Sequence, residues 1–574
     1  MLLTALNRPQ YKEVRSASFH RAFPGARSNP FASKRGTFLF DRRQLFSLAG
    51  RGAVLAGVPS LKQAAPAPAL TTELLANAGV LNVKAFGATG DAHTIDSPAV
   101  NRTIEAAAAA GGGTVYFPAG TYASYSIHLK SHVALYLEQG ATILAAATPL
   151  NRTTSGGYDD AEPQGPWEPY QDYGHNHWHN SLIWGDGIHD FSIVGPGLIW
   201  GKGLSRGHPL DKDLPDTTKP GVANKAIALK NCRNVLLRDF SILFGGWFGI
   251  LATGVDNLTI DNLKIDTNRD GMDIDCCRNV RVSNCTVNSP FDDAICPKSS
   301  FALGEPRPTE NVTITSCFVT GGYEIGSVLD GTWKRMPDSF RPRATGRIKC
   351  GTESNGGFRN ITISNCVFEH SRGLALESVD GALCEDITFI GIAMRDTMNS
   401  PLFLRLGERM RGPQGAKVGT LKRILISNVT SYDAAQLPSI LSGVPGHFIE
   451  DVKISDVYLH QIGGGDAAMA SLQPPEREKE YPEPTMFGAL PATGFFVRHV
   501  KNLEMSNVEI ATREPDLRPT FSLIDVDGAD LFRVRVPRPS SAPTFSLKQL
   551  SNFRVFGSQF VPDNIFPKVD EKLL

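Results

Sequence analysis

The chain has 574 residues, of which 41% are hydrophobic and 20% charged, and it contains 55 glycines and 38 prolines. This composition is typical of a globular protein with many turns, and it excludes a disordered chain or a coiled coil. The net charge of zero hides an asymmetry, because residues 1–67 hold 11 of the 58 basic residues but only two of the 58 acidic ones. The remainder carries a net charge of about −9, which argues against general nucleic-acid binding because that requires a basic face.

The first recognisable pattern is an export signal. Arg42 and Arg43 precede a modestly apolar run, residues 45–58, and small residues follow at 64–69. This order predicts a signal peptide of the twin-arginine type and a periplasmic or secreted protein, although a short amphipathic helix remains an alternative. We therefore divide the chain into an N-terminal extension with signal, residues 1–69, and a catalytic domain, residues 70–574. The apolar run is too short to cross a bilayer, and we expect no membrane span.

The next predicted element is a helix from Ser97 to Ala110. Ser97 is a plausible N-cap with Pro98 at the first helical position, and the pattern ends at the glycines 111–113. Downstream, a repeat of a polar residue followed by alternating apolar residues predicts short strands with one buried face. It occurs at 232–242, 255–265, 277–287, 309–319, 358–368, 384–394, 449–459 and 500–510.

A period near 22 residues predicts one solenoid turn per repeat, with turns stacked about 4.8 Å apart as parallel strands. The fold class is therefore all-β, a single-stranded right-handed parallel β-helix whose N-terminal end is capped by the helix. Each repeat carries a polar residue at an equivalent corner, where it tolerates left-handed backbone and can hydrogen-bond along a ladder. These residues are Asn234, Asn257, Asn279, Asn311, Asn360, Asp386, Asp451 and Asn502. Loop insertions are expected at 151–180, 203–222, 329–345 and 463–490, the last as a surface excursion. The nine cysteines are expected to be core thiols with at most one or two bridges.

Two carboxylate clusters lie one turn apart. Asp270 and Asp292 are 22 residues apart, which equals the local repeat, so both should lie on the same face of adjacent turns. Their carboxyl groups could reach the separation of about 6.5–9.5 Å that an inverting glycosidase needs for its water. Asp293 is adjacent, and such crowding raises the pKa of one carboxyl. Solvated corner aspartates or a calcium site are the alternatives, and Asp273 and Asp275 are assigned a structural role.

Basic and aromatic residues complete the predicted site. Arg347 and Lys349 alternate in a strand and so share a face, and with Lys298 they would form a basic pocket suited to a sugar carboxylate. Simple balance of the aspartates is the alternative. In the loop containing His175, His177 and His179, Trp178 is predicted to stack on a sugar face, while a metal site built from the three histidines is the less favoured reading.

These motifs resemble glycoside hydrolase family 28, the polygalacturonases. The resemblance covers roughly residues 80–460 and rests on residues 82–91, 111–115 and 117–120, on Asn268-Arg269-Asp270 with Arg in place of Thr, on Asp292-Asp293 and on Arg347-Ile348-Lys349. It implies that Asp292 is the general acid, that Asp270 and Asp293 activate water, and that Arg347 and Lys349 hold substrate. Gly321 stands where the family has a histidine that supports the acid.

The sequence thus predicts an inverting, exo-acting hydrolase of pectic or related uronate polysaccharide. We expect a monomer that uses no metal or cofactor and whose partner is the acidic saccharide, with no nucleic acid. A β-helix polysaccharide lyase, with a cationic base and Ca²⁺, and a non-catalytic carbohydrate-binding β-helix remain as alternatives.

Overall fold

The structure is a computed structural model, and it describes residues 79–148, 157–205, 216–536 and 542–574. The predicted signal and extension, residues 1–69, lie outside the described residues. The described chain is a right-handed parallel β-helix, as the repeat predicts. Within the described residues, no helix combines the length and hydropathy needed to cross a membrane.

The strands, in chain order, are β1 (Val80–Asn82), β2 (Asp91–Ile95), β3 (Gly113–Phe117), β4 (Gly120–Ser124), β5 (Ile127–His128), β6 (Val133–Leu137), β7 (Ala141–Ala145), β8 (Ile183–Asp186), β9 (His189–Val194), β10 (Leu198–Trp200), β11 (Lys225–Lys230), β12 (Arg233–Arg238), β13 (Ser241–Leu243), β14 (Phe248–Thr253), β15 (Asp256–Asp261), β16 (Lys264–Asp266), β17 (Asp270–Asp275), β18 (Arg278–Ser283), β19 (Thr286–Asn288), β20 (Ile295–Lys298), β21 (Thr309–Thr315), β22 (Phe318–Thr320), β23 (Ile348–Cys350), β24 (Phe358–Ser364), β25 (Val367–Glu369), β26 (Leu374–Ser378), β27 (Leu383–Arg395), β28 (Leu402–Leu406), β29 (Thr420–Ala434), β30 (Ser439–Ser442), β31 (Ile449–Gly463), β32 (Phe495–Glu514), β33 (Phe521–Phe532), β34 (Phe545–Phe556) and β35 (Asn564–Leu573). The α-helices are α1 (Ser97–Ala109) and α2 (Ala467–Ala470), and 3₁₀ turns occur at Val83–Phe86, Glu168–Tyr170, Tyr173–Asn176, Arg341–Arg343 and Pro484–Phe487.

Each central turn contributes one strand to each of three parallel sheets. Sheet A contains β9, β12, β15, β18, β21 and β24; sheet B contains β10, β13, β16, β19, β22 and β25; sheet C contains β8, β11, β14, β17, β20, β23, β26, β28 and β30. In later turns the strands of sheets A and B fuse into the long strands β27, β29 and β31. The last strand, β35, pairs antiparallel with β34.

Stacked apolar side chains fill the interior. On sheet C, Ile250, Met272, Ile295, Ile348 and Leu374 pair in register from one turn to the next, and all five are fully buried. A single turn has no apolar partner for such residues, so the stacking of neighbouring turns supplies the core.

The predicted corner ladder is confirmed. All eight corner residues have a positive φ, between 52° and 61°. Consecutive asparagine side chains from Asn234 to Asn360 donate Nδ2–H to the Oδ1 of the preceding turn at 2.8–3.2 Å. Asparagine tolerates the left-handed region because its short amide forms hydrogen bonds there.

The predicted cap is also present, with a different first turn. Helix α1 begins at Ser97, and Asp96 takes the N-cap position without a capping side-chain bond, because its carboxylate accepts the N–H groups of Thr89 and Gly90 at 2.7 and 2.9 Å. Val100 and Ile104 of α1 are fully buried in the core that the strands enclose. All nine cysteines are buried and unbridged, as expected for core thiols.

Candidate active site

The candidate site lies on the outward face of sheet C. The structure corrects the predicted pairing of its aspartates. Met272 lies opposite Ile295, a spacing of 23 residues, and the N–H of Gly271 donates to the carbonyl oxygen of Asp293 at 3.0 Å. In this register Asp293, rather than Asp292, is the counterpart of Asp270 on the next turn.

Asp270 is a buried carboxyl, 5% exposed. Its Oδ1 accepts the backbone N–H of Asp293 at 3.1 Å. Burial, with the neighbouring charges of Asp292 and Asp273, raises the pKa of Asp270 well above its ordinary value. Asp270 is therefore the group of the cluster best suited to retain a proton.

Asp293 has the opposite electrostatic environment. Its carboxylate accepts Nε of Arg347 at 2.7 Å and is paired with Nζ of Lys349. Burial alone would raise the pKa of Asp293, but the two cations outweigh it and hold that pKa well below the ordinary value. The prediction that Arg347 and Lys349 share a face is confirmed, and Asp293 is an ionised carboxylate between them.

Asp292 is the most accessible of the three predicted catalytic aspartates, with 28% of its side chain exposed. Its Oδ2 accepts two hydrogen bonds from Arg269, from Nε at 3.2 Å and from Nη2 at 3.0 Å. Arg269 is the residue that replaces the family threonine, and its guanidinium also lies 5.1 Å from the ring centroid of Trp247. Because a guanidinium only donates, Oδ2 of Asp292 is the acceptor in both bonds.

A cleft of about 570 Å³ opens beside Asp292 and Asp293. The predicted insertion 329–345 contributes Phe340, whose ring meets that of Phe291 edge-on at 4.9 Å. Cationic side chains from three segments line the same cleft: Arg343, Arg347, Lys349 and Arg372. The cleft thus combines exposed carboxylate, several cations and aromatic rings.

The segment 463–490, expected to be a surface excursion, supplies part of the cleft. Glu483 accepts a hydrogen bond from Arg347 at 3.0 Å and lies 3.4 Å from Arg372. The hydroxyl of Tyr481 accepts from Lys349 at 3.5 Å and hydrogen-bonds Thr352 at 3.0 Å. Periodicity could not reveal these residues, because they are more than 110 positions from their partners. Their only sequence signal is the acidic and aromatic content of the insertion.

Glu377 is a second residue that the sequence analysis missed. It lies on β26, fully buried, and neither carboxylate oxygen has a hydrogen-bond partner. Burial raises the pKa of Glu377 to about 7, against the opposing effect of Lys349 and Arg347. It is a buried titratable group on β26, the strand that pairs with β23, which carries Lys349.

Lys298 lies outside the cleft. Its ammonium is buried 3.2 Å from Glu353 and 3.9 Å from Asp273, and it donates to the carbonyl of Gly351. It therefore holds buried carboxylates in place, and its predicted contact with substrate has no support in this arrangement.

Trp178 is buried and does not line the cleft, which corrects the stacking prediction. Its side chain is 2% exposed and packs against Phe248 and Leu251, with Lys230 4.3 Å above the ring. The backbone N–H of Trp178 donates to Glu162. Because the indole packs against residues of sheet C, it holds the loop on that sheet, and its apolar face is not available to other groups.

The three alternating histidines diverge. His175 is fully enclosed, and its Nε2 lies 2.9 Å from Oδ2 of Asp273. Nε2 of His177 lies 3.2 Å from Glu168, and that of His179 lies between Glu162 and Asp186. A single metal site formed by all three is therefore wrong.

Gly321, at the position of the family histidine, is closed to a side chain. A Cβ there would lie 3.0 Å from the backbone nitrogen of Thr345 and 3.3 Å from that of Gly346. The connection that leads to Arg347 packs on this glycine, so a histidine would require the backbone to move.

Comparisons with known proteins agree with this architecture. Residues 80–167 match the profile described as rhamnogalacturonase A/epimerase, pectate lyase-like, and residues 220–334 match a right-handed β-helix region. A probable polygalacturonase from Vitis vinifera is 24% identical over 303 residues, which cover 48% of this chain and 58% of the relative. The chain resembles glycoside hydrolase family 28.

Two further proteins are similar to this chain, one in fold and the other over part of its sequence. A family 28 exopolygalacturonase from Yersinia enterocolitica shares the fold, with a TM-score of 0.54, 17% identity, and coverage of 80% of this chain and 78% of that chain. A plasmin and fibronectin-binding protein A from Streptococcus pneumoniae is 31% identical over 192 residues, covering 32% of this chain and 24% of the relative. The chain thus spans about a quarter and three fifths of the lengths of these two sequence relatives.

Proposed function

We propose that the protein is an inverting glycoside hydrolase that cleaves uronate-containing polysaccharide of the pectic type from a chain end. The observation that supports this most directly is the cleft itself, where Asp292 and Asp293 lie beside Arg347 and Lys349. Paired cations bind a sugar carboxylate, and aromatic rings pack on sugar faces. Phe340 and Arg343 place the 329–345 insertion at the cleft, which supports attack at an end rather than along a chain.

The proposed division of roles follows from accessibility and charge. Asp292 is exposed to the cleft, so once Arg269 no longer hydrogen-bonds its Oδ2 it takes up a proton from solvent and donates that proton to the leaving oxygen. Asp293, held ionised by Arg347 and Lys349, deprotonates the attacking water on the other side, and Asp270, whose raised pKa favours its protonated form, positions that water by a hydrogen bond. General acid catalysis of this kind contributes about 10²–10⁴-fold to the rate.

Two observations favour a second candidate, a β-helix that binds carbohydrate without cleaving it. Arg269 donates two hydrogen bonds to Oδ2 of Asp292, and Gly321, at the position of the supporting histidine, has no side chain and lies tightly against the backbone of Thr345. Both features oppose proton donation without affecting recognition of an acidic sugar.

Incubation of the full chain with defined oligogalacturonides tests the proposal. We expect new reducing ends released one unit at a time, without the ultraviolet absorption of unsaturated lyase products. The Asp292→Asn variant should lose at least 100-fold in rate, whereas Asp330→Asn, an exposed change in the 329–345 insertion, should retain full rate. Binding of the oligosaccharide with no turnover by the unmodified protein would establish the second candidate, and unsaturated products would establish a lyase.

We also propose that the protein acts outside the cytoplasm, on the strength of the paired arginines at 42–43. Cell fractionation of the native chain beside an Arg42→Lys, Arg43→Lys variant tests export. Retention of the variant in the cytoplasm is the expected result, and equal export of both would exclude a twin-arginine signal.

A further inference from the structure

Polar side chains of the loop over sheet C and of the end of β8 lie close together without hydrogen-bonding one another. Nε2 of His179 lies 3.6 Å from Oε1 of Glu162 and 3.7 Å from Oδ2 of Asp186. Both distances exceed the hydrogen-bond range. Oε1 of Glu162 is buried and has no hydrogen-bond partner, a costly state for a carboxylate oxygen. The three ligand atoms all lie within 4.8 Å of one another.

We propose that Glu162, His179 and Asp186 bind a divalent transition-metal ion, with Zn²⁺ as the best match. Ligands about 2.0–2.2 Å from a tetrahedral zinc are separated from each other by about 3.3–3.6 Å. The observed separations of 3.6 and 3.7 Å are within a few tenths of that range. An imidazole among the ligands favours zinc or a similar metal over Ca²⁺ and Mg²⁺, which prefer oxygen alone.

The surroundings orient two of the three ligands. The second oxygen of Glu162 accepts the backbone N–H groups of Trp178 and His179 at 2.8 and 3.3 Å. The imidazole of His179 packs on Trp184, with ring centroids 4.0 Å apart. Such supporting contacts fix the direction of metal ligands. About a third of the side chains of His179 and Asp186 is exposed, so solvent can reach the proposed site.

Lys230 places a positive charge beside the proposed metal site, which opposes cation binding. Its Nζ lies 3.8 Å from Oδ2 of Asp186 and above the ring of Trp178. Metal binding must therefore compete with the ion pair between Lys230 and Asp186. This pair is partly exposed, and exposed ion pairs are weak and easily broken. When bound, the ion would tie the loop of residues 157–180 to Asp186 at the end of β8. The same loop also carries His175, which contacts Asp273, so the metal would have a structural role in fixing the conformation of this loop.

The test uses the full chain, freed of metal by chelation and titrated calorimetrically with Zn²⁺. We expect saturable binding of Zn²⁺, a rise in Tm on addition of Zn²⁺, and the intense visible absorption of four-coordinate Co²⁺ on substitution. His179→Gln and Glu162→Gln should each weaken binding at least tenfold and abolish the rise in Tm. Two variants are used so that the test remains possible if one of them misfolds.

The chain offers a matched control. His132, His189 and Asp190 form another histidine–carboxylate group, but there Nδ1 of His189 and Oδ2 of Asp190 are already hydrogen-bonded at 2.7 Å. His189→Gln should leave Zn²⁺ affinity unchanged. Absence of saturable binding, or loss of binding in His189→Gln with retention in His179→Gln, would overturn the proposal.

Discussion

The buried carboxyl of Glu377 should make stability depend on pH in a defined direction. Its pKa is raised from an ordinary value of 4.5 to about 7 because it is fully buried, with Lys349 and Arg347 only partly offsetting the cost of charge. The folded protein therefore binds this proton more tightly than the unfolded chain does. The stabilisation is fully present below pH 4.5 and is lost as the pH rises through about 7.

The size of the effect follows from the difference between the two values. Each pKa unit corresponds to about 1.4 kcal/mol, so the ionisation of Glu377 withdraws about 3 kcal/mol of folding free energy between pH 4.5 and 8. Glu377→Gln keeps the shape and cannot ionise. Relative to this variant, the unmodified protein should lose about 3 kcal/mol of unfolding free energy over that interval.

Denaturant unfolding of both proteins at several pH values from 4.5 to 8 measures this difference, since other titrating groups are common to both. Glu305→Gln, a change of an exposed glutamate, controls for the substitution itself and should run parallel to the unmodified protein. Parallel curves for Glu377→Gln would refute the reasoning, because they would mean that Glu377 does not change its proton affinity on folding.

Three further predictions follow from contacts in and near the site. Asp293→Asn leaves Arg347 and Lys349 buried beside a neutral amide, so unfolding free energy should fall by about 3–5 kcal/mol, measurable by denaturant titration; a loss under 1 kcal/mol would show that the cations find other partners. Lys349→Met should reduce kcat/KM about 10- to 150-fold on an acidic substrate and far less on its methyl ester, whereas equal losses would mean that the pocket does not recognise an acid. Asn279→Ala removes two ladder hydrogen bonds and places alanine at φ 57°, so it should cost about 1–2 kcal/mol; Asn279→Gly, which accepts that φ, should cost less, and the opposite order would exclude backbone strain as the cause.

Much of the scaffold was predictable because its determinants are local. The corner asparagines and the alternating strands of sheet A repeat in the sequence, and each repeat specifies the same left-handed corner and the same inward face. Sheet C was harder to predict because loops cover its outward face. In β17 all six residues, Asp270–Asp275, are buried, so the contrast between inner and outer positions is lost.

The site was only partly predictable for the same reason. The motifs identified Asp293, Arg347 and Lys349, which do meet. The positions of Tyr481, Glu483 and Trp178 depend on how long insertions pack over the turns, and no periodicity describes that packing. Glu377 carries no sequence signal at all, since its importance comes from burial without a partner.

The 23-residue spacing at the site has a consequence for how insertions and deletions would act on the chemistry. Asp266 pairs with Asn288 at a spacing of 22, whereas Met272 pairs with Ile295 at 23, so the additional residue lies within 289–294, the segment that contains both aspartates. Because Ile295 pairs with Met272, deleting Ala294 would leave both strands intact and would move Asp292 to the position opposite Asp270 that Asp293 now holds. In this solenoid a single-residue change of loop length would exchange two aspartates of the candidate site as effectively as a substitution does. Paired acidic residues in related chains are therefore best aligned by strand pairing instead of by their order in the sequence.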